Sequence, residues 1–256
     1  MGESIFSNCL ELKTVTFVEE SSLKDLPAEA FYKCEKLESI ALPTKLVTIG
    51  AQAFENCTSL TSITLPNTLT TIFEEVFASS GLTSITIPKS VTRVGNKAFS
   101  DCSALVTATF EENSELVYLG KRAFESTGIE TMTTLPSGPL ILSEATFADC
   151  KQLTTVIIPD GVSHIEYHQF YGCVKLENVT IGNHVSLIKN YAFGQCASLL
   201  EISYNNTRDH WGIIEKSRGG WIWGTLANSV IIHCLDGDVN EYSPQQFMYN
   251  LKVNNN

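Results

Sequence analysis

Ala53-Phe54-Glu55-Asn56-Cys57-Thr58-Ser59-Leu60-Thr61-Ser62-Ile63-Thr64-Leu65-Pro66, followed by Leu69 and Ile72, is the stretch on which the fold turns. Residues 62–65 alternate polar and apolar, the period-2 pattern of a strand with one buried face. Pro66 ends that strand, because proline has no N–H to give to a ladder. The Leu-x-x-Ile that follows leads through a small-residue turn to the next Ala-Phe. That segment has room for only one or two helical turns.

The unit recurs along the chain. Phe6, Phe31, Phe54, Phe77, Phe99, Phe124, Phe147, Phe170 and Phe193 share one phase, with steps of 25, 23, 23, 22, 25, 23, 23 and 23 residues. Three residues after the Phe stands a cysteine in seven copies: Cys9, Cys34, Cys57, Cys102, Cys150, Cys173 and Cys196. Ser80 and Thr127 take its place in two copies that are one residue shorter at that point. The strand pattern returns at 14–17, 39–42, 84–87, 107–110, 155–158, 178–181 and 201–204, and irregularly at 132–135, where one extra residue reads as a bulge. A 23-residue unit cannot bury its apolar face alone, so the repeat implies a stack of coils with a continuous parallel sheet.

The pattern Ala-Phe-x-x-Cys-x-x-Leu-x-x-Ile-x-Leu-Pro-x-x-Leu-x-x-Ile-Gly resembles the BspA-like (TpLRR-type) leucine-rich repeat. The tail, from Tyr204-Asn205-Asn206-Thr207 through Trp211, Ile214 and Trp221 to 230–238 (Val-Ile-Ile-His-Cys-Leu-Asp-Gly-Asp), resembles that family's terminal region. The resemblance implies an α/β fold: a right-handed solenoid of about nine coils over residues 1–204, with short helical turns on the convex side. Residues 205–256 then form a Trp-rich cap and tail. It also implies a non-catalytic module of a bacterial cell-surface or secreted protein, adhering to host or neighbouring-cell proteins and needing no cofactor. A glycan-binding or spacer module of a larger cell-envelope protein is the alternative.

Composition narrows the partners. Seventeen Lys+Arg against 28 Asp+Glu give a net charge of −11. That is the wrong sign for neutralising a nucleic-acid backbone or for holding an anionic membrane surface. No apolar run reaches the roughly 18–20 residues of a membrane span. The opening Met1-Gly2-Glu3-Ser4-Ile5-Phe6 lacks the basic and apolar regions of a secretion signal. The chain also opens inside a repeat, so the expectation is an excised domain of a longer secreted protein. An intracellular repeat protein is the alternative.

The outward strand positions are the first candidate site: Ser39, Ser62, Thr64, Ser84, Thr86, Thr107, Thr109, Thr155, Asn178 and Thr180 on the concave face. Repeat proteins bind partners on such surfaces, although hydroxyls are also what β-propensity selects. The tail aromatics Trp211, Trp221 and Trp223 are the second candidate, as a ligand platform or as a seal over the last coil. The phased cysteines read as a reduced, buried ladder, since equivalent positions in stacked coils hold their Cβ atoms too far apart for a relaxed disulfide. His164 and His168 read as surface residues and not as a metal pair, because Ile165 between them takes an inward position. Asp236-Gly237 reads as a turn between strands. The acidic insertions at 17–23 and 110–116 read as solvated loops.

Overall fold

The computed structural model describes residues 2–217, 220–222 and 229–242. The chain divides into two compact units, Met1–Ile129 and Glu130–Asn256.

The first unit carries strands β1 (Thr14–Thr16), β2 (Asp25–Leu26), β3 (Ser39–Ala41), β4 (Thr48–Ile49), β5 (Thr71–Ile72), β6 (Ser84–Ile87), β7 (Arg93–Val94), β8 (Thr107–Phe110) and β9 (Tyr118–Leu119). On one side β1 pairs with β3 and β6 with β8, both in parallel. On the other side β2, β4, β5, β7 and β9 follow one another as a parallel sheet. Register follows the repeat: Ser84 faces Thr107, Ile85 faces Ala108, Thr86 faces Thr109 and Ile87 faces Phe110. A strand period of two then keeps the Ile side in the core and the hydroxyl side in solvent along every coil.

The second unit carries β10 (Thr131–Met132), β11 (Ile141–Leu142), β12 (Thr155–Ile158), β13 (His164–Ile165), β14 (Asn178–Ile181), β15 (Leu187–Ile188), β16 (Glu201–Tyr204), α1 (Arg208–Ile213), β17 (Glu215–Lys216), β18 (Ser229–Cys234) and β19 (Gly237–Tyr242). β10, β12, β14, β16 and β18 form one parallel sheet, closed at its edge by β19 running antiparallel. β13, β15 and β17 form the other.

The phenylalanines make the core. Phe31, Phe54, Phe77, Phe99 and Phe124 are fully buried, with successive rings stacked at centroid distances of 5.4, 5.4, 5.3 and 5.0 Å. In the second unit Phe147, Phe170 and Phe193 stack at 5.7 and 5.2 Å, and Trp221 meets Phe193 edge-on at 5.8 Å. The tryptophan ring ends the column by turning across it. Pro43, Pro66, Pro88 and Pro159 follow the strands, and each carbonyl accepts the N–H three residues on, at Leu46, Leu69, Val91 and Val162. Proline thus stops the ladder and starts the turn.

Three expectations need correction. The fold is mostly β, not α/β: the Ala-Phe segments are chains of turns, and α1 is the sole helix among the described residues. The cause lies in the backbone two residues before and two residues after each Phe, where φ is positive. Gln52 (58°) and Asn56 (59°) flank Phe54, Lys97 (52°) and Asp101 (59°) flank Phe99, and Tyr191 and Gln195 (both 57°) flank Phe193. This alternation turns N–H groups along the stack instead of back to the i−4 carbonyl. The N–H groups of Gln52, Phe54 and Asn56 donate to the carbonyls of Glu74, Val76 and Ala78 in the next coil.

The repeats make about eight turns, where the phenylalanine count predicted nine coils. Phe6 stacks on Phe31 at 5.4 Å yet stays half-buried, and Cys9 is exposed, so the first copy is not an enclosed turn. Finally, residues 62–65, the copy that reads most cleanly as a strand, keep the alternation of burial but join no ladder. Coupling to the next coil there stops at Thr83 N–H donating to Thr61 C=O (3.0 Å). Of the irregular copy at 132–135 only Met132 joins a ladder, as the second residue of β10.

Candidate functional site

The outward positions of the longer strands define the candidate surface, and backbone pairing sets their spacing. In the first unit Ser39, Ser62, Thr64, Ser84, Thr86 and Thr107 are exposed and Thr109 is half-buried. Thr86 and Thr109 hydroxyls lie 3.2 Å apart, bonded to each other across β6 and β8. Where residues 62–65 leave the ladder, a cleft of about 430 Å3 opens along β6. It is lined by Ser62, Thr64, Asn67, Ser84, Thr86 and Glu111. Glu111 is held there by the Lys89 backbone N–H (3.0 Å).

In the second unit Thr155, Asn178 and Glu201 are register partners, as are Thr180, Ser203 and His233 two residues further along. Asn178 is exposed, while Thr155 and Thr180 are half-buried. Glu177, Asn178, Thr180, Glu201, Ser203 and His233 line a small cleft of about 170 Å3. An open hollow of about 510 Å3 adjoins it over Ala197, Ser198 and Leu200. In this unit two carboxylates, Glu177 just before β14 and Glu201 on β16, stand beside the hydroxyls. His233 and Asn67 were missing from the sequence reading, and Glu111 was placed in a solvated loop. Carrying the outward phase of 201–204 across the insertion into 229–234 would have found His233.

Trp211 and Trp221 face inward. Trp211 is 1% exposed and Trp221 4%; Trp223 lies outside the described residues. Trp211 Nε1 donates to Glu241 Oε1 (2.7 Å), and Lys216 both ion-pairs with Glu241 (3.3 Å) and lies over the indole ring at 4.6 Å. Tyr204 packs edge-on against Trp211, and its hydroxyl bonds His210 Nδ1. Burial pushes that phenol up to about 12. Thr207 caps α1 by accepting from His210 N–H, as its residue type suggests. Trp211 and Trp221 are thus packed on Tyr204 and Phe193 and turned away from solvent.

The cysteines are structural donors. Sγ of Cys34, Cys57 and Cys102 donates to the carbonyls of Phe6, Phe31 and Phe77 in the preceding coil at 3.1, 3.2 and 2.9 Å. Cys173 and Cys196 do the same to Phe147 and Phe170, both at 3.1 Å. Burial pushes the thiols of Cys57 and Cys102 up to about 12 and about 11, far from the thiolate that metal binding or nucleophilic attack requires. His164 is exposed on β13 and His168 sits in a turn with φ of 57°, so the two do not share a helix face. Among the described residues no three His, Cys, Asp or Glu side chains gather as a metal-ligand set. No helix among them is long and apolar enough to cross a membrane.

Parallel coils of near-constant length, a core column of one aromatic per coil and a Leu-x-x-Ile lateral sheet define a leucine-rich-repeat β-solenoid. The chain belongs to the BspA type leucine rich repeat region family, which matches in six copies over residues 1–106, 24–140 and 117–212. No enzyme family is indicated. Among solved structures, the chain is similar to the T. pallidum leucine rich repeat protein at 26% identity and a TM-score of 0.50, covering 73% of this chain and 78% of that one. It is similar to a leucine-rich repeat protein of Eubacterium ventriosum ATCC 27560 at 20% identity and a TM-score of 0.51, covering 84% and 62%. A leucine rich cell surface protein of Faecalibacterium prausnitzii A2-165 is 26% identical over 84% of this chain and 78% of its own, with a TM-score of 0.40. No curated protein matches the chain.

Proposed function

We propose that the chain is a non-catalytic protein-binding module of a bacterial cell-surface or secreted protein, with residues 205–256 acting as its cap. One observation carries the reading. The outward positions of the longer strands are solvent-accessible and paired in register, a preformed surface that costs little ordering to bind. The adhesive form of the proposal is that this face takes up a host or neighbouring-cell protein, in the first unit along the cleft beside β6. Family membership supports a surface-exposed interaction module, and the buried, high-pKa thiols and sealed aromatics offer no reactive group to a substrate.

The test is binding of the full chain to an immobilised panel of extracellular-matrix and cell-surface proteins. Saturable binding is expected, lost in Thr86→Arg/Thr109→Arg while the thermal unfolding midpoint stays in place. Absence of saturable binding across the panel, or binding indifferent to both substitutions, contradicts the reading. Glycan-array binding by the wild type, with none to proteins, would favour a carbohydrate ligand instead.

A further inference from the structure

His233 sits on β18 with its ring between carboxylates from two other strands. Nδ1 lies 2.9 Å from Asp238 Oδ1 on β19, and Nε2 lies 3.3 Å from Glu201 Oε2 on β16. A neutral imidazole has one N–H, so its second nitrogen would aim a lone pair at a carboxylate. Only the imidazolium donates to both. The geometry suits the charged ring.

The sheet shows what such a clasp would hold. β18 pairs in parallel with β16 and antiparallel with β19, and β19 is the edge of its sheet. An edge strand is the first to open and, once open, a template for further pairing. The other ties of the hairpin come from Asp236, which accepts Arg208 N–H at 2.7 Å and ion-pairs with its side chain at 3.7 Å, and from Glu241 beneath Trp211. Among the described residues, His233 links β16, β18 and β19 through side chains on the outward face.

We propose that protonated His233 is a pH-dependent clasp that shuts the terminal hairpin onto the solenoid sheet, and that the edge frays when the ring becomes neutral. The groups facing the ring are Asp238 from β19, Glu201 from β16 and Glu177 across the small cleft. The Asp236–Arg208 pair flanks the turn, Cys234 is next on β18, and Tyr204 with His210 lies on the opposite, inward face. The hydrogen bond to Asp238 raises the proton affinity of His233 most; desolvation opposes it, and the hydrogen bond to Glu201 and the two carboxylate charges add smaller rises. A raised folded-state value means that the stabilisation is complete below the ordinary histidine value of about 6.5 and is lost as pH climbs through the folded-state value. Burial holds the Cys234 thiol and Tyr204 phenol above their usual values, so neither titrates in that window.

Hydrogen exchange of the β19 amides in the full chain, corrected for intrinsic rates and followed from about pH 5.5 to about pH 8.5, tests the clasp. Protection of Gly237–Tyr242 should fall roughly two- to fivefold across that range, the size of an exposed ion pair, while Asn178–Ile181 stays constant. His233→Gln should be less protected throughout and flat with pH. Glu201→Gln should shrink the step and lower the His233 titration midpoint seen by imidazole nitrogen NMR. Flat protection in the wild type, or a step that survives unchanged in His233→Gln, overturns the proposal.

Discussion

At the residue scale the repeat is a set of answered hydrogen-bond demands. The Phe31 carbonyl, buried between coils, accepts Cys34 N–H within its own coil (3.1 Å) and the Cys57 thiol from the next (3.2 Å). Cysteine suits the position because it is small, apolar enough to bury and still a weak donor. Where Ser80 replaces it, the hydroxyl turns to Cys102 Sγ at 3.3 Å instead. A disulfide reagent near pH 8 should therefore modify exposed Cys9 first and leave Cys57 and Cys102 untouched, and all eight thiols should react in denaturant. Rapid native labelling of the ladder would mean that the thiols are not buried donors. One residue breaks the pattern. Gln169 stands where neighbouring copies place Ala or Thr, is fully buried, and leaves both amide atoms without a partner. Gln169→Met, close in volume, should raise stability by about 1–3 kcal/mol in urea unfolding, because an orphaned buried amide carries that penalty. A loss of stability would show that the amide has a bonding role.

At the element scale the sequence was legible in the strands and silent in the turns. The alternation in 84–87, 107–110, 155–158 and 178–181 fixed both their burial and, through the repeat length, their register. Residues 62–65 alternate just as well yet stay outside a ladder, since pairing depends on where the neighbouring coils place their backbones. The positive-φ positions carried only a broken residue signal: Asn8, Asn56, Asp101, Asp149 and Gly172 favour that region by type, but Glu29, Lys33, Gln52, Lys97, Arg122 and Gln195 do not, so the segment was open to a helical reading. The inter-coil hydrogen bonds impose the conformation. That predicts an inverted propensity at exposed Gln195 (φ 57°): Gln195→Gly should be neutral or stabilising, and Gln195→Val should cost about 1–2 kcal/mol. Equal effects in chemical denaturation would argue that the residue is not held there. Close approach of coils acts at Gly120, where an added Cβ would lie 2.4 Å from the Gly95 carbonyl carbon. Gly120→Ala should lower the unfolding free energy by more than about 2 kcal/mol, as a backbone clash that no side-chain movement relieves. The candidate surface was legible because outward phase is arithmetic. The clefts and His233 were not, because they depend on a ladder that opens and on a strand displaced by an insertion.

At the scale of the whole molecule, a 256-residue chain of net charge −11 is organised by proximity between neighbouring copies, and no single central core is needed. The terminal segment does what an interior coil cannot. Trp221 turns across the end of its phenylalanine column, Trp211 of α1 packs edge-on against Tyr204, and β19 ends the parallel sheet with an antiparallel edge. The proposed binding role rests on what this arrangement leaves outside among the described residues: hydroxyls and carboxylates held in register by the strands. The claim beneath all of it is that the stacked rings hold the coils together. Phe99, fully buried with neighbours at 5.3 and 5.0 Å, is the place to test it. Urea unfolding of Phe99→Ala should show a loss of about 3–5 kcal/mol, the cost of an unfilled core cavity. A loss below about 1 kcal/mol, the range of a surface substitution, would contradict the account.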